Sequence, residues 1–406
     1  MPHTDAQTMQ ANMKILLPLL ASVVAITPLA LDLYLPGMLS IADYYQVSIA
    51  VIQNSLSVYL AGYALGLLLF GPVADSIGRR KLALTGLLLF SILSLLLAFA
   101  QTAEQFTSLR FAQAFCGSAA TVVVPGVIRQ FYGQNTAKGM SYVSMIMMLA
   151  PLAAPTLGSA IMFVFNWQAM FVFLSVYALL IFIGCLLKLP EVPARAGGQS
   201  KPKIDIIGNY KTVFSSKPAR PYILASMLVS LSFFAYLTAI PFVYLQIFKT
   251  SEFMFSFLFG LNIIALMLAH VFNTKMVGKL GSQRILVGAF FMGTIAAALL
   301  VLVNTFGLPL FWTVICILPL MSSISLIAVS ADSLILISFA NNTGTATAVI
   351  GTLRFGVGAL AGPILTFFHN DTAIPFTVLM FVSVLAIGVF QRANINDVLF
   401  AKKSDS

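Results

Sequence analysis

Long apolar runs separated by short polar breaks account for most of this chain. Each run is close to the roughly 20 residues that a helix needs to cross the hydrocarbon core of a bilayer. The predicted spans are 15–36, 49–70, 82–100, 106–128, 140–162, 168–188, 221–246, 254–274, 285–304, 309–339, 344–367 and 374–391. The pattern predicts an all-α membrane protein with 12 transmembrane helices, and this even number places both termini on one side.

The segment 189–220 is the long polar interruption, and it carries Pro190, Pro193, Gly197 and Gly198. It separates two halves of six predicted spans each. Paired bundles are typical of secondary carriers, which bind substrate between the halves near the middle of the membrane. We divide the chain into a tail at 1–14, a bundle at 15–188, a linker at 189–220, a bundle at 221–391 and a tail at 392–406.

Composition supports the membrane interpretation. Of the 406 residues, 60% are hydrophobic and 8% are charged, and the mean hydropathy is +0.99. A soluble fold does not use so much apolar surface. The first run could be a signal peptide, but it runs past signal length, carries Asp32 and lacks a clear cleavage site, so we interpret it as a span. Cys116, Cys185 and Cys316 all lie in predicted spans, which favours packing over disulfides or metal binding.

Basic residues follow the connecting segments. All but three of the 22 Lys and Arg residues fall in the tails and in loops on one side of the predicted topology. Lys249 falls on the other side, while Arg110 and Arg354 fall inside spans. Since basic residues near a span are retained in the cytoplasm, we predict cytoplasmic termini and a cytoplasmic linker in a multi-pass protein of the bacterial inner membrane. The net charge of +10 then requires no nucleic-acid partner.

A compact motif, GPVADSIGRRK, occupies residues 71–81 between the second and third predicted spans. Gly71 and Gly78 permit a tight turn between helices. The Asp75 carboxylate can accept hydrogen bonds from a neighbouring helix N-terminus, and Arg79 and Arg80 can anchor the loop. We therefore predict a gating loop on the cytoplasmic side.

This motif resembles the loop signature of the major facilitator superfamily. Residues 31–36, LDLYLP, and 109–113, LRFAQ, look like the first-helix and fourth-helix signatures of its twelve-span drug:proton antiporters. Residues 241–244, PFVY, and 351–358, GTLRFGVG, look like its Bcr/CflA subfamily. The resemblance implies two six-helix bundles and proton-coupled export of small amphipathic compounds such as drugs or antibiotics.

Residues 150–158, APLAAPTLG, are similar to the fifth-helix antiporter motif of that family. Pro151 and Pro155 each remove a helical donor, and with Gly158 they predict a bent, closely packed helix. A seal between the halves and a simple kink both remain open. The chain departs from the family in having Ser159 after the glycine and Gln130 where an acid is usual.

Charges inside spans are costly and usually functional. Asp32 and Arg110 each lie about four residues from the outer end of their spans, so at 1.5 Å per residue both are roughly 6 Å deep. This depth permits a pair. Asp32 is our predicted proton carrier and Arg110 the residue that modulates its pKa; a static ion pair is the alternative.

The second half carries its own intramembrane charges. Arg354 lies near the midplane, and Asp332 lies in an unusually long apolar run, so the two can pair if that helix is tilted. Asp332 at the cytoplasmic interface is the alternative. His270 can titrate near neutral pH, although a lone histidine of this kind is more often a hydrogen-bonded helix-end residue.

We predict a substrate cavity lined by aromatic faces with a few polar groups, which suits amphipathic ligands. Its predicted residues are Tyr34, Tyr59, Tyr63, Gln113, Phe234, Tyr236, Asn262 and Arg354. The alternatives are an exporter of an endogenous metabolite or siderophore and a proton-coupled importer of the same fold. We find no nucleotide loop, metal cluster, catalytic nucleophile or channel filter. We therefore do not expect an enzyme. We also expect a monomer that uses no cofactor and is driven by protons.

Overall fold

A computed structural model of the protein describes residues 3–132, 136–190, 208, 211, 213, 215–339 and 343–400. Regular structure in this described part is helical, with no strand. It separates into two compact units. The first comprises residues 1–47 and 58–204, and the second comprises residues 48–57 and 205–406.

The helices before the linker begin with α1 (His3–Asp32), a 3₁₀ turn (Leu35–Gly37), α2 (Met38–Tyr45) and α3 (Ile49–Ile77). They continue with α4 (Arg79–Ala98), α5 (Ala103–Thr121), α6 (Val124–Tyr132), α7 (Thr136–Val164) and α8 (Trp167–Lys188). Within the first unit α1 packs against α7 and α8, and α4 packs between α5 and α8. The core of this unit therefore forms around α1, α4 and α5.

The helices after the linker begin with α9 (Arg220–Pro241), a π-helical segment (Phe242–Ile247), α10 (Glu252–Leu280) and α11 (Ser282–Thr305). They continue with α12 (Leu310–Ser338), α13 (Thr343–Gly358), α14 (Ala361–Phe367), α15 (Ile374–Phe390) and α16 (Arg392–Phe400). Helix α9 packs against α12, α13 and α15, while α12 also packs against α10 and α11. Helices α9 and α12 are thus central to the second unit.

The predicted helical membrane fold is confirmed. Ten stretches of the described residues are long and apolar enough to cross a membrane. Shorter apolar helices at Leu149–Val164 and Ile374–Phe390 occupy the places of the fifth and twelfth predicted spans. The number of crossings and the side of the termini stay predictions.

Four predicted spans are interrupted. The first breaks after Asp32, the fourth breaks after Thr121, the seventh becomes π-helical after Pro241, and the eleventh breaks after Gly358. Proline removes a backbone donor and so favours such breaks. Interrupted membrane helices expose backbone groups that carriers use for binding.

Residues 48–57 belong to the second unit, although our sequence division assigned them to the first bundle. Two hydrogen bonds hold this segment within the second unit. Gln53 Nε2 donates to the carbonyl of Thr238 at 2.8 Å, and the backbone N–H of Gly362 donates to Ser57 Oγ at 2.7 Å. Long-range polar contacts of this kind have no signal in the hydrophobic pattern.

Candidate functional site

Arg110 lies on α5 with its side chain wholly buried in the first unit. Its guanidinium carbon lies 4.4 Å from the ring centre of Tyr34, 4.3 Å from that of Tyr59 and 5.9 Å from that of Phe171. Aromatic faces attract cations electrostatically. We call Tyr34, Tyr59 and Phe171 the aromatic enclosure, because these rings replace part of the water that a buried charge loses.

Two hydrogen bonds also hold Arg110, while its Nε has no hydrogen-bond partner among the described residues. Nη1 donates to Oε1 of Gln113 at 2.7 Å, and Nη2 donates to the carbonyl of Ala30 at 2.9 Å. Gln113 in turn donates from Nε2 to Ser94 Oγ at 2.7 Å. Ala30 is among the last four residues of α1, whose carbonyls lack regular helical donors. The end of α1 thus provides the acceptor that holds Arg110.

Asp32 is the last residue of α1 and is 3% exposed. Its Oδ1 has no hydrogen-bond partner among the described residues. Sequence depth permitted an ion pair with Arg110, but in the described part of the chain Arg110 bonds to Ala30 and Gln113 instead. Because a helix C-terminus carries partial negative charge, an ionised Asp32 needs a positive partner, and a proton removes that need.

The predicted cavity residues of the first unit are buried. Tyr34 and Tyr59 are fully covered and face Arg110, and Gln113 is equally buried beside it. Tyr63 is 6% exposed and its hydroxyl lies 2.9 Å from Thr121 Oγ1. Tyr34, Tyr59 and Gln113 thus surround Arg110. Tyr63 contacts Thr121 instead, and all four side chains are buried in this conformation.

The predicted cavity residues of the second unit behave similarly. Asn262 and Tyr236 are fully buried, and Asn262 Nδ2 donates to the Tyr236 hydroxyl at 2.8 Å. Phe234 is 7% exposed. A methyl group placed on Gly358 would collide with its ring, so Phe234 sits directly on that glycine. In this conformation these three side chains pack against helices of their own unit.

Arg354 differs from them because it remains partly exposed. Its Nη2 lies 2.7 Å from Oδ1 of Asp332, and its Nε donates to Ser226 Oγ at 2.7 Å. The pairing that the sequence left open is therefore formed. The three residues come from α13, α12 and α9, so this site ties three helices together.

Gly158 of the antiporter motif packs against Leu33, the residue that follows Asp32. Helix α7 continues through Pro151 and Pro155. A Cβ added to Gly158 would collide with the carbonyl of Leu33. Gly158 therefore allows α7 to pack tightly on the end of α1.

The predicted gating loop is shorter than expected. Gly71 and Asp75 belong to α3, and Gly78 by itself forms the turn into α4 with φ 94°. A positive φ favours glycine at this position. Gly71 is therefore helical and takes no part in the turn, and the side chain of Asp75 lies outside the described residues.

The two arginines after that turn bind backbone carbonyls. Arg79 Nη1 donates to Gly126 at 2.9 Å, and Arg80 Nη2 donates to Leu186 at 2.7 Å. Each arginine thereby joins the start of α4 to another helix of the first unit. These two hydrogen bonds are the contacts that the predicted anchoring role of Arg79 and Arg80 requires.

Sequence reasoning missed several participants. Phe171, Ser94 and Ser226 are ordinary residues of apolar helices, and the carbonyl of Ala30 is invisible in a side-chain pattern. Among the described residues, no group of three His, Cys, Asp or Glu side chains is placed to hold a metal ion.

Comparison with known proteins places this geometry in context. The model of the Major Facilitator Superfamily matches residues 20–363. A bicyclomycin resistance protein homolog of Haemophilus influenzae is 30% identical over 86% of this chain and 88% of its own length. The multidrug transporter MdfA of Shigella boydii is 30% identical over 66% of this chain and 64% of its own length.

Solved structures share the fold at lower identity. The xylose transporter XylE from E. coli is similar with a TM-score of 0.70 and 14% identity, over 93% of this chain and 96% of that chain. The POT family transporter PepTSo has a TM-score of 0.71 and 11% identity, over 93% and 98% respectively. At this identity only the fold is shared. All these similar proteins are transporters, not enzymes.

Proposed function

Because the chain belongs to the major facilitator superfamily, among the Bcr/CflA-like drug-efflux transporters, we propose that it exports small amphipathic compounds in exchange for protons. The membrane is the bacterial inner membrane, and the termini and the linker face the cytoplasm. Export proceeds by alternating access of the two halves. The proton gradient drives the cycle, and no cofactor takes part.

The single observation that carries the proposal is the state of Asp32. Its carboxyl group is buried, its Oδ1 lacks a hydrogen-bond partner in the described part of the chain, and it ends a helix. A buried charge without a partner is strongly disfavoured. A proton or a cationic substrate group each relieves this cost, and only one of them is needed at a time. Competition of this kind gives exchange rather than co-transport.

Arg110 supports this role without neutralising the acid. The aromatic enclosure and two acceptors satisfy its charge, so Arg110 can remain ionised while Asp32 changes state. Its bond to Ala30 lies two residues from Asp32 along α1. Movement at the end of α1 therefore changes the hydrogen bond between Ala30 and Arg110. This contact couples protonation of Asp32 to the position of α1.

The Asp32→Asn variant tests the proposal. Asparagine keeps the size and hydrogen-bonding capacity of the side chain and removes the titratable proton. We expect folded Asp32→Asn protein in proteoliposomes to lose transport driven by a pH gradient, with substrate-dependent proton movement absent, while binding of an uncharged substrate persists.

Asp43→Asn is the matched control, since Asp43 is an exposed carboxylate of the same unit on α2. We expect this variant to retain coupling. If Asp32→Asn protein accumulates substrate as the wild type does under a pH gradient, the proton site lies elsewhere.

We propose a gating role for the end of α3, which contains Asp75, together with the turn at Gly78. Asp75→Asn should slow turnover and leave substrate affinity largely unchanged, because this segment controls a conformational equilibrium and does not contact substrate. Transport rates and binding isotherms of the same preparation separate these quantities. A large loss of affinity would instead assign Asp75 to the substrate site.

A further inference from the structure

Arg354, Asp332 and Ser226 form a charged site inside the second unit. Asp332 lies six residues before Ser338, the last residue of α12. At 1.5 Å per residue this places it about 9 Å from the helix end. The guanidinium group uses Nε and Nη2 in its hydrogen bonds to Ser226 and Asp332. Since an arginine side chain carries five N–H donors, further donors are available at this site.

The pair is accessible, unlike Arg110. The side chains of Arg354 and Asp332 are 26% and 37% exposed. Charged groups at this depth do not face lipid, because the cost in hydrocarbon is several kcal/mol. We therefore infer that their exposed edge faces water and not lipid.

An apolar layer closes the side of this site that faces the linker. Its buried residues are Val213, Ala219, Ile223, Ile335, Val349 and Ile350. Ile223 lies one turn before Ser226, Ile335 one turn after Asp332, and Ile350 one turn before Arg354. Access to the pair is thus from the other directions.

An aromatic pair follows Arg354 and Ser226 along the same two helices, α13 and α9. Phe355 follows Arg354 in α13, and its ring centre lies 5.7 Å from that of Phe234. Phe355 is partly exposed. The site therefore has a positive group and a negative group, and Phe355 lies one residue after Arg354 along α13.

We propose that this site binds zwitterionic amphipathic compounds, with a carboxylate at Arg354, an ammonium group at Asp332 and an apolar ring near Phe355. This inference rests on the proposed export function and names its substrate class. A purely anionic ligand that displaced Asp332 would leave that carboxylate unpaired, and a purely cationic one would leave Arg354 unpaired. Unpaired charges are costly away from bulk water. A zwitterion exchanges one ion pair for two and leaves neither charge unpaired.

Three matched fluorescent probes test the proposal. Nα-dansyl-lysine carries a carboxylate and an ammonium group, dansylcadaverine lacks the carboxylate, and Nα-dansyl-norleucine lacks the ammonium group. Binding is measured as the change in dansyl fluorescence with the full-length protein in lipid nanodiscs. Charge-assisted hydrogen bonds are the strong ones, so we expect dansyl-lysine to bind on the order of tenfold more tightly than either singly charged probe.

The variant Asp332→Asn with Arg354→Gln removes both charges and should bind the three probes with equal affinity. Arg354→Lys keeps the charge but loses the planar fork. It should therefore weaken binding of the two carboxylate probes and leave dansylcadaverine unchanged. This single variant decides the matter if the double variant does not fold.

Equal affinity of the wild type for all three probes would overturn the proposal, and so would absence of binding or a zwitterion preference that survives in the double variant. The proposed export function is judged separately, by proton movement with dansylcadaverine in proteoliposomes. Coupled transport of that cation without zwitterion preference rejects this site and leaves the export function standing.

Discussion

The two intramembrane arginines satisfy their charge in opposite ways. Arg110 is wholly buried, has aromatic faces on it and donates to a carbonyl and an amide. Arg354 is 26% exposed and pairs with a carboxylate. In the first unit Asp32 ends the helix whose Ala30 carbonyl binds Arg110. Its Oδ1 has no hydrogen-bond partner in the part of the chain that the structure describes. The first unit therefore separates acid from base, and the second unit joins them.

This difference assigns different chemistry to the two units. An acid that no basic side chain neutralises is free to exchange protons, because its state does not depend on breaking an ion pair. An acid that is paired with an arginine favours a ligand that carries both charges, because each protein charge then keeps an opposite partner when the ion pair opens. We infer proton exchange in the first unit and charge recognition in the second.

We expect the largest effect when each arginine is removed in turn. Arg110→Met should destabilise the protein by about 3 kcal/mol, since it leaves buried acceptors unsatisfied and removes the cation from its enclosure. Arg354→Met should cost less, about 1–2 kcal/mol, because it leaves Asp332 unpaired but that side chain is 37% exposed and reaches water. Thermal unfolding midpoints in one detergent measure both. Equal losses would break the comparison.

A second test moves the end of α1 and leaves the second unit alone. Gly158→Ala should cost about 2 kcal/mol through overpacking against the Leu33 carbonyl and should reduce coupled transport. Gly288→Ala is the control, since a Cβ there meets nothing within 4 Å. Unfolding midpoints and transport rates of both variants are compared. An unaffected Gly158→Ala protein would show that α1 and α7 separate easily.

The smallest test concerns one ring of the enclosure. Tyr59→Phe keeps the aromatic face over Arg110 and removes only the hydroxyl. It should change stability by about 0.5 kcal/mol or less. Tyr59→Leu removes the face and should cost about 1 kcal/mol. Unfolding midpoints decide, and a larger effect for the phenylalanine variant would mean that the hydroxyl, not the ring, supports Arg110.

The sequence by itself predicted the fold class and the family of this protein. The apolar runs determined the helical membrane fold, and the motifs at 31–36 and 71–81 carried a family resemblance that the comparisons confirm. They could do so because the bilayer imposes a length and a polarity on each helix. These constraints act on each helix separately, so a local stretch of sequence is enough to predict a span.

Tertiary structure decided which charged groups meet. Asp32 and Arg110 lie at similar predicted depth, yet the end of α1 presents the Ala30 carbonyl to Arg110 instead of the carboxylate. Asp332 and Arg354 do pair, with Ser226 as a third member that no pattern indicated. Depth follows from position along a helix, whereas contact depends on helix rotation and on where a helix ends. Rotation is set by packing against neighbouring helices, so it appears only when the chain is folded.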